Sequence, residues 1–194
     1  MSSQRFPGKV LAPFKGRPLI SHVIQTVSRV LPHLSVTVLT SNESSDDPLV
    51  AYLTRDDVSV FRGPLENVFE RFSLCARQYD CEWILRICAD SPLLDANVLK
   101  RVASRVDESW DLITTVFPRT FPRGNNAELI RTATLLAIDA TQLTAPEREH
   151  VTSVFYNHAS RFRILNIESG NPKLAEFNFS VDTIDDLRRL EASQ

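Results

Sequence analysis

Hydrophobic and polar positions follow two different periods along this chain, and the two periods alternate. Apolar residues recur every three or four positions over residues 18–31, which predicts a helix that begins at a proline. Short β-branched runs bounded by turn residues, such as residues 36–40, predict strands instead. Residues 83–88 are nearly all apolar apart from Arg86, a pattern typical of a strand covered on both faces.

These patterns together predict an α/β domain, because strands and helices alternate at the spacing of a mainly parallel sheet with helices on both faces. No repeat or linker interrupts the pattern, so residues 1–194 are expected to form a single domain. The predicted helices cover residues 18–31, 48–54, 66–79, 96–106, 132–140, 147–159 and a last segment from 183. The predicted strands cover residues 36–40, 58–61, 83–88, 111–116, 127–130, 162–167 and 177–181.

Composition narrows the class of protein. The net charge of −2 gives no reason to expect a nucleic-acid partner, which usually requires a basic surface. No apolar run approaches the length of a membrane span, so no membrane association is expected. The three cysteines match no common zinc spacing, and we expect reduced thiols in a cytoplasmic protein.

Two carboxylates follow buried strands of the predicted sheet. Asp90 comes just after the strand at 83–88, and Asp182 comes just after the strand at 177–181. Ligands of such sheets bind beyond the carboxyl ends of the strands, and paired carboxylates there suit Mg²⁺. Each residue alone has another explanation, since Asp90 could cap a turn and Asp182 could cap the final helix.

The first nine residues form a candidate phosphate-binding loop. Arg5 and Lys9 can flank one polyphosphate, Ser2 and Ser3 offer hydroxyls, and Gly8 permits a close approach. The spacing excludes a Walker-type loop, which needs GxxxxGK followed by serine or threonine. A basic loop that is simply solvated surface remains the alternative.

The chain resembles the cytidylyltransferases that make CMP-activated sugars, and within them the spore coat polysaccharide biosynthesis branch. The acylneuraminate and 3-deoxy-manno-octulosonate cytidylyltransferases are related to that branch. The matching motifs run in order from the first residue nearly to the last, at residues 1–9, 16–23, 40–41, 60–63, 86–95, 118–122, 147–152 and 181–183.

The resemblance implies a three-layer, Rossmann-like nucleotide-diphospho-sugar transferase fold. It also implies transfer of CMP from CTP to a sugar hydroxyl with release of pyrophosphate, assisted by Mg²⁺, in surface polysaccharide or glycan biosynthesis. A homodimer is expected, as is usual among relatives. The implied site residues are Arg5, Lys9 and Asp90 for catalysis; Ser3, Arg5, Lys9, Thr40, Ser41 and Arg71 for the nucleotide; Asp90 and Asp182 for the metal; and Arg119, Glu128 and His150 for the sugar.

The sequence departs from the family pattern in three places. Ala89 stands where glycine is usual, and Arg123 and Asn126 stand where acidic residues are common. The family's hydrophobic first strand, which lies centrally in the sheet, is absent from this sequence, so its two neighbours should have unpaired edges. Three hypotheses stay open: an active cytidylyltransferase whose true start lies upstream of Met1, a shortened paralogue that acts as a binding or partner subunit, and another nucleotidyltransferase of the same fold.

Overall fold

The computed structural model describes residue 3 and residues 5–193. Its strands β1 to β8 are Pro13–Phe14, Arg17–Pro18, Thr37–Ser41, Ser59–Gly63, Trp83–Arg86, Leu112–Thr114, Glu128–Arg131 and Ile164–Asn166. Its helices α1 to α8 are Leu19–Val30, Asp47–Arg55, Val68–Ala76, Ala96–Ala103, Thr132–Ala137, Ala145–Glu149, Ser153–Asn157 and Ile184–Ala192. No described helix is both long enough and apolar enough to cross a membrane.

Helices cover both faces of the central strands, which gives three layers. Successive side chains of a strand point to opposite faces. On β6 and β7, Ile113 and Leu129 belong to a buried cluster with α1 and α4, whereas Leu112 and Ile130 belong to a cluster with α3, α5 and α7. Burying each of these side chains contributes about 1.5–3 kcal/mol. The predicted α/β architecture is confirmed.

Strand pairing is more mixed than the sequence predicts. β3 and β4 form one parallel pair, and β6 and β8 form another. β7 lies between β5 and β6 and runs antiparallel to both. The structure places no helix between β6 and β7, so β7 returns directly beside β6 instead of crossing over to a parallel position.

β3 and β5 each lie at the end of a sheet, with a strand partner on one side only among the described residues. Within the described residues, β3 pairs only with β4, and β5 pairs only with β7, so β3 and β5 lie in separate sheets. A 3-10 turn, Lys9–Leu11, lies near this division. Its Val10 and Leu11 pack in one apolar cluster with Val38 of β3 and with Ala89, which follows β5. These contacts hold the first loop in place.

The helix predicted at 147–159 is broken into α6 and α7. His150 leaves the helical conformation at φ −111° and ψ 85°, and its N–H donates to the carbonyl of Pro146 over 2.8 Å. Val151, which follows, is completely buried. Burial of this side chain takes the backbone out of the helical path for one turn.

The strand predicted at 177–181 is wrong. This segment is extended, but its backbone bonds alternate between different partners: Phe179 N–H donates to Arg123 over 2.7 Å, and Val181 N–H donates to Asp90 over 2.9 Å. Only an isolated bridge between Arg123 and Asn178 forms. Gly124, at φ 93°, allows this approach, since a Cβ there would lie 2.6 Å from the carbonyl carbon of Phe179.

Candidate active site

A short backbone hydrogen bond brings the two predicted metal carboxylates together. Val181 N–H donates to the carbonyl of Asp90 over 2.9 Å, and the Val181 side chain is completely buried. Asp182 is therefore held beside the end of β5. Asp182 does not cap the final helix: the Thr183 side chain is the N-cap, and Asp186 completes the capping box.

Lys9 reaches both carboxylates from the first loop. Gly8 precedes it in the left-handed conformation at φ 71°, which turns the chain into the 3-10 turn. The Nζ of Lys9 lies 2.7 Å from Asp90 Oδ2 and 3.1 Å from Asp182 Oδ1. Arg5 Nη2 also lies 3.1 Å from Asp182 Oδ1. We call Arg5, Lys9, Asp90 and Asp182 the charged cluster; the sequence predicts all four members.

The charge state of Lys9 follows from its surroundings. Burial alone would lower the pKa of its ammonium. The charges and hydrogen bonds of Asp90 and Asp182 outweigh burial and raise this pKa above its ordinary value. Lys9 is therefore a cation at neutral pH, and it lies between the two carboxylates.

The donor set of the charged cluster suits a divalent cation. Asp90 and Asp182 each direct an oxygen to the same point, and the second oxygen of Asp90 accepts from Ser91 Oγ over 3.2 Å. Mg²⁺ uses few protein carboxylates and completes its shell with water and substrate phosphates. The described part of the chain has no group of three or more His, Cys, Asp or Glu side chains that could hold a metal by themselves.

Ser3 lies in the same loop, whereas Ser2 lies outside the described residues. Ser3 Oγ accepts from the backbone N–H of Phe6 over 3.3 Å, which closes the loop before Lys9.

Ala89, which stands where the family usually has glycine, is not among the described residues with positive φ. Alanine replaces glycine there without backbone strain.

Thr40 and Ser41 are buried, and both form hydrogen bonds with another residue of the protein, Asp46. The hydroxyls of Thr40 and Ser41 donate to Asp46 Oδ2 over 2.5 and 2.7 Å, and Ser41 N–H donates to the same atom over 2.8 Å. Burial alone would raise the pKa of Asp46, but hydrogen bonds, including these, hold it well below its usual range. Contact of these hydroxyls with a nucleotide stays a prediction, and the structure assigns them to Asp46.

Arg71 is a half-buried cation with spare hydrogen-bonding capacity. Burial lowers the pKa of its guanidinium, and the nearby charge of Asp46 opposes this shift. Its Nε is buried and has no hydrogen-bond partner. Arg71 thus remains a candidate for contact with a ligand.

Glu128, expected to face the sugar, is instead buried in an internal network. Arg86 Nη1 and the hydroxyl of Tyr156 both donate to its carboxylate, and only 4 % of its side chain is exposed. Tyr156 also contacts Thr114 Oγ1 over 2.8 Å. We call Arg86, Glu128, Tyr156 and Thr114 the buried network. Contact of Glu128 with the sugar stays a prediction, and in the structure each of its oxygens already accepts a hydrogen bond from within the protein.

Sequence reasoning did not assign Tyr156 a role, and it noted Arg86 only as the charged residue in an apolar strand. That position was the available signal, since a buried charge requires a partner. Burial, with the charge of Glu128 in addition, raises the pKa of Tyr156 well above its usual value, so its hydroxyl remains a donor.

Arg119 and His150, the other two residues predicted to contact the sugar, differ in burial. Arg119 is half-buried, and its Nη1 donates to Asn126 Oδ1 over 2.6 Å. Burial lowers the pKa of Arg119, and the positive charge of Arg123 lowers it further. His150 is exposed at the end of α6, and in the described structure no hydrogen bond or ion pair joins its side chain to the charged cluster.

Comparison with known proteins shows the family of this chain. The family model described as "Cytidylyltransferase" matches residues 1–188. The chain is 26% identical to the spore coat polysaccharide biosynthesis protein SpsF of Bacillus subtilis, over 99% of this chain and 82% of that protein. It is also 26% identical to a 3-deoxy-manno-octulosonate cytidylyltransferase of Anaeromyxobacter dehalogenans, over 71% of this chain and 57% of that protein.

A solved structure supports the same relationship. A cytidylyltransferase from Leptospira borgpetersenii superposes with a TM-score of 0.92 at 26% identity, covering 99% of this chain and 82% of that one. The superposition confirms the nucleotidyltransferase fold, and the family model spans nearly the whole sequence. The chain belongs to the cytidylyltransferase family of CTP-dependent nucleotidyltransferases.

Proposed function

We propose that this protein transfers the CMP group of CTP to a sugar hydroxyl and releases pyrophosphate, in the synthesis of a surface polysaccharide or glycan. The charged cluster carries this proposal. It combines two cations that can bind a triphosphate with two carboxylates that can bind Mg²⁺, all at the end of β5. The relatives named for polysaccharide biosynthesis and for octulosonate activation support the sugar acceptor.

The reaction is a direct displacement at the α-phosphate. The sugar oxygen forms a bond to the α-phosphorus while the bond from that phosphorus to the bridging oxygen breaks. Pyrophosphate leaves with the bridging oxygen, and the hydroxyl proton passes to water. Lys9 and Arg5 bind the phosphates and stabilise the charge that develops on the departing pyrophosphate. Asp90 and Asp182 would hold Mg²⁺, which neutralises charge on the phosphates when it is bound.

The acceptor that fits best carries an acidic group. Arg119 is half-buried and donates to the neutral Asn126 rather than to a carboxylate. It lies close enough to Arg123 for the two charges to repel, and the charge of Glu128 only partly offsets this repulsion. An anion between them would relieve this repulsion and accept charge-assisted hydrogen bonds. The octulosonate substrate named for one relative is an acid of this kind.

A two-part assay tests the proposal. The native protein is given Mg²⁺ and each of CTP, UTP, ATP and GTP, with acidic and neutral sugars as acceptors, and both pyrophosphate and the nucleotide-sugar are measured. We expect turnover with CTP and an acidic sugar. Turnover only with another nucleotide, or no turnover with any acceptor, would contradict the proposed function.

Variants of Arg119 test the acceptor class. Arg119→Gln should raise the KM for the acidic sugar about tenfold or more, because a charged hydrogen bond is lost, while the KM for CTP stays near native. Arg188→Gln is the matched control, since the Arg188 side chain is 71% exposed on α8. An unchanged sugar KM in Arg119→Gln would remove Arg119 from the acceptor site.

A further inference from the structure

Lys9 lies at the place where a cation would bind. Its Nζ contacts Asp90 Oδ2 and Asp182 Oδ1 at 2.7 and 3.1 Å, so one positive charge already neutralises much of the pair. Only 15% of the Lys9 side chain is exposed, whereas the side chain of Arg5, which among the described carboxylates pairs with Asp182, is 68% exposed. The ammonium of Lys9 is thus the inner counter-ion of the pair, and Arg5 is an outer one.

A divalent cation and this ammonium cannot both occupy the point between the two carboxylates. Two positive charges at such a distance repel strongly in a half-buried site. The backbone of Lys9 is fixed by its 3-10 turn, where Ala12 N–H donates to the carbonyl of Lys9 over 3.0 Å. The four-carbon stem of lysine is flexible, so the ammonium can move without the loop.

We propose that Lys9 serves as an internal counter-ion that occupies the cation position of the nucleotide-free site and must leave before a divalent cation binds Asp90 and Asp182. A triphosphate offers Lys9 another anionic partner and so frees the two carboxylates. Cation binding and triphosphate binding then favour one another, as linkage requires. This inference rests on the proposed function for the identity of the cation ligands.

Removal of Lys9 should change the affinity for a divalent cation in the opposite direction to the removal of an ordinary structural ion pair. If Lys9 only stabilised the loop, its removal would disorder the site and weaken cation binding. If Lys9 competes with the cation, its removal leaves two uncompensated carboxylates and strengthens cation binding in the absence of nucleotide. The sign of the change therefore separates the two roles without any measurement of turnover.

The experiment measures the affinity of Mn²⁺ for the nucleotide-free protein by electron paramagnetic resonance, since Mn²⁺ prefers the same oxygen ligands as Mg²⁺. We expect Lys9→Met and Lys9→Gln to bind Mn²⁺ about tenfold more tightly than the native chain. Arg5→Met is the matched control, and its affinity should change by much less. Adding Asp90→Asn to Lys9→Met should abolish the gain.

Thermal unfolding keeps the test decisive if a variant is less stable. Mg²⁺ should raise the Tm of Lys9→Met by more than it raises the Tm of the native chain, because tighter binding stabilises the folded state more. Equal or weaker Mn²⁺ binding by both Lys9 variants would overturn the inference, as would a gain that survives Asp90→Asn. A Lys9 variant with the expected gain, in a protein that never turns over CTP, would keep this inference and remove the proposed function.

Discussion

The charged cluster and the buried network both join cations to carboxylates, and they differ in burial and in the use of their oxygens. Asp90 and Asp182 keep 25% and 35% of their side chains exposed, and their ion pairs are with the flexible side chains of Lys9 and Arg5. Glu128 keeps 4% exposed, and Arg86 and Tyr156 hold both of its oxygens. We therefore interpret the more exposed charged cluster as the candidate site and the buried network as support for the fold.

The two clusters are neighbours. Burial raises the pKa of Cys88, which lies between the end of β5 and Asp90 in the chain. The charges of Arg86 and Glu128 act on this thiol, and so do those of Asp90 and Lys9. Both clusters therefore have charged members near Cys88, just beyond the end of β5.

The largest expected effect on stability comes from breaking the buried network. Glu128→Ala leaves the half-buried Arg86 without its carboxylate and should cost about 3–5 kcal/mol in the free energy of unfolding, measured by urea denaturation. Replacing Arg86 and Glu128 together by Met and Leu should recover much of this loss. A stable Glu128→Ala protein with a raised KM for the sugar would instead restore the sugar-facing role that the sequence predicts.

A smaller effect is expected from the hydroxyl of Tyr156. Tyr156→Phe removes the donor to Glu128 and the contact with Thr114, so the free energy of unfolding should fall by about 1–3 kcal/mol. Tyr52→Phe, which removes a half-buried hydroxyl 2.8 Å from Ser21 Oγ, serves as the comparison and should cost less. A larger loss at Tyr52 than at Tyr156 would contradict the importance given to the buried network.

The smallest effect is expected at Asp111, which belongs to neither cluster. Arg163 and Thr134 hydrogen bonds lower the pKa of Asp111 to about 2, below the value of about 4 for an unfolded aspartate. The folded pKa is depressed, so this stabilisation is present above about pH 4 and is lost as the pH falls through about 2.

The difference in urea midpoint between the native chain and Asp111→Asn should therefore shrink as the pH falls from neutral towards the acid range. Asp185→Asn is the control, because the Asp185 side chain is 86% exposed. A difference that stays constant with pH would show that the loss at Asp111 does not come from its charge.

The sequence predicts those parts of the fold in which a regular apolar period coincides with burial. Helices α1 and α4 and strands β3 and β4 form close to the predicted positions. The break at His150 and the irregular segment 177–181 depend on tertiary contacts, with the core around Val151 and with the carbonyls of Arg123 and Asp90. Contacts between distant parts of the chain produce no local sequence pattern, so these two irregular segments could not be predicted.

The residues of the charged cluster could be predicted from the sequence, whereas the contacts that surround them could not. The sequence predicts Asp90 and Asp182 because they follow buried strands, where ligands bind. It predicts Arg5 and Lys9 because two cations in one loop can flank a polyphosphate. The use of Thr40 and Ser41 by Asp46 was not predicted, since side-chain hydrogen bonds depend on how the turn folds. The anchoring of the first loop by Val10 and Leu11 likewise required the structure.

The most direct test of the charged cluster measures turnover and stability together in Asp90→Asn. This change removes charge from the proposed metal site at nearly constant shape, with Asp185→Asn as the exposed acidic control. We expect Mg²⁺-dependent pyrophosphate release from CTP to fall about 100- to 1,000-fold in Asp90→Asn and to remain native in the control. A folded Asp90→Asn protein with undiminished release would contradict the central claim that this cluster is the site of nucleotidyl transfer.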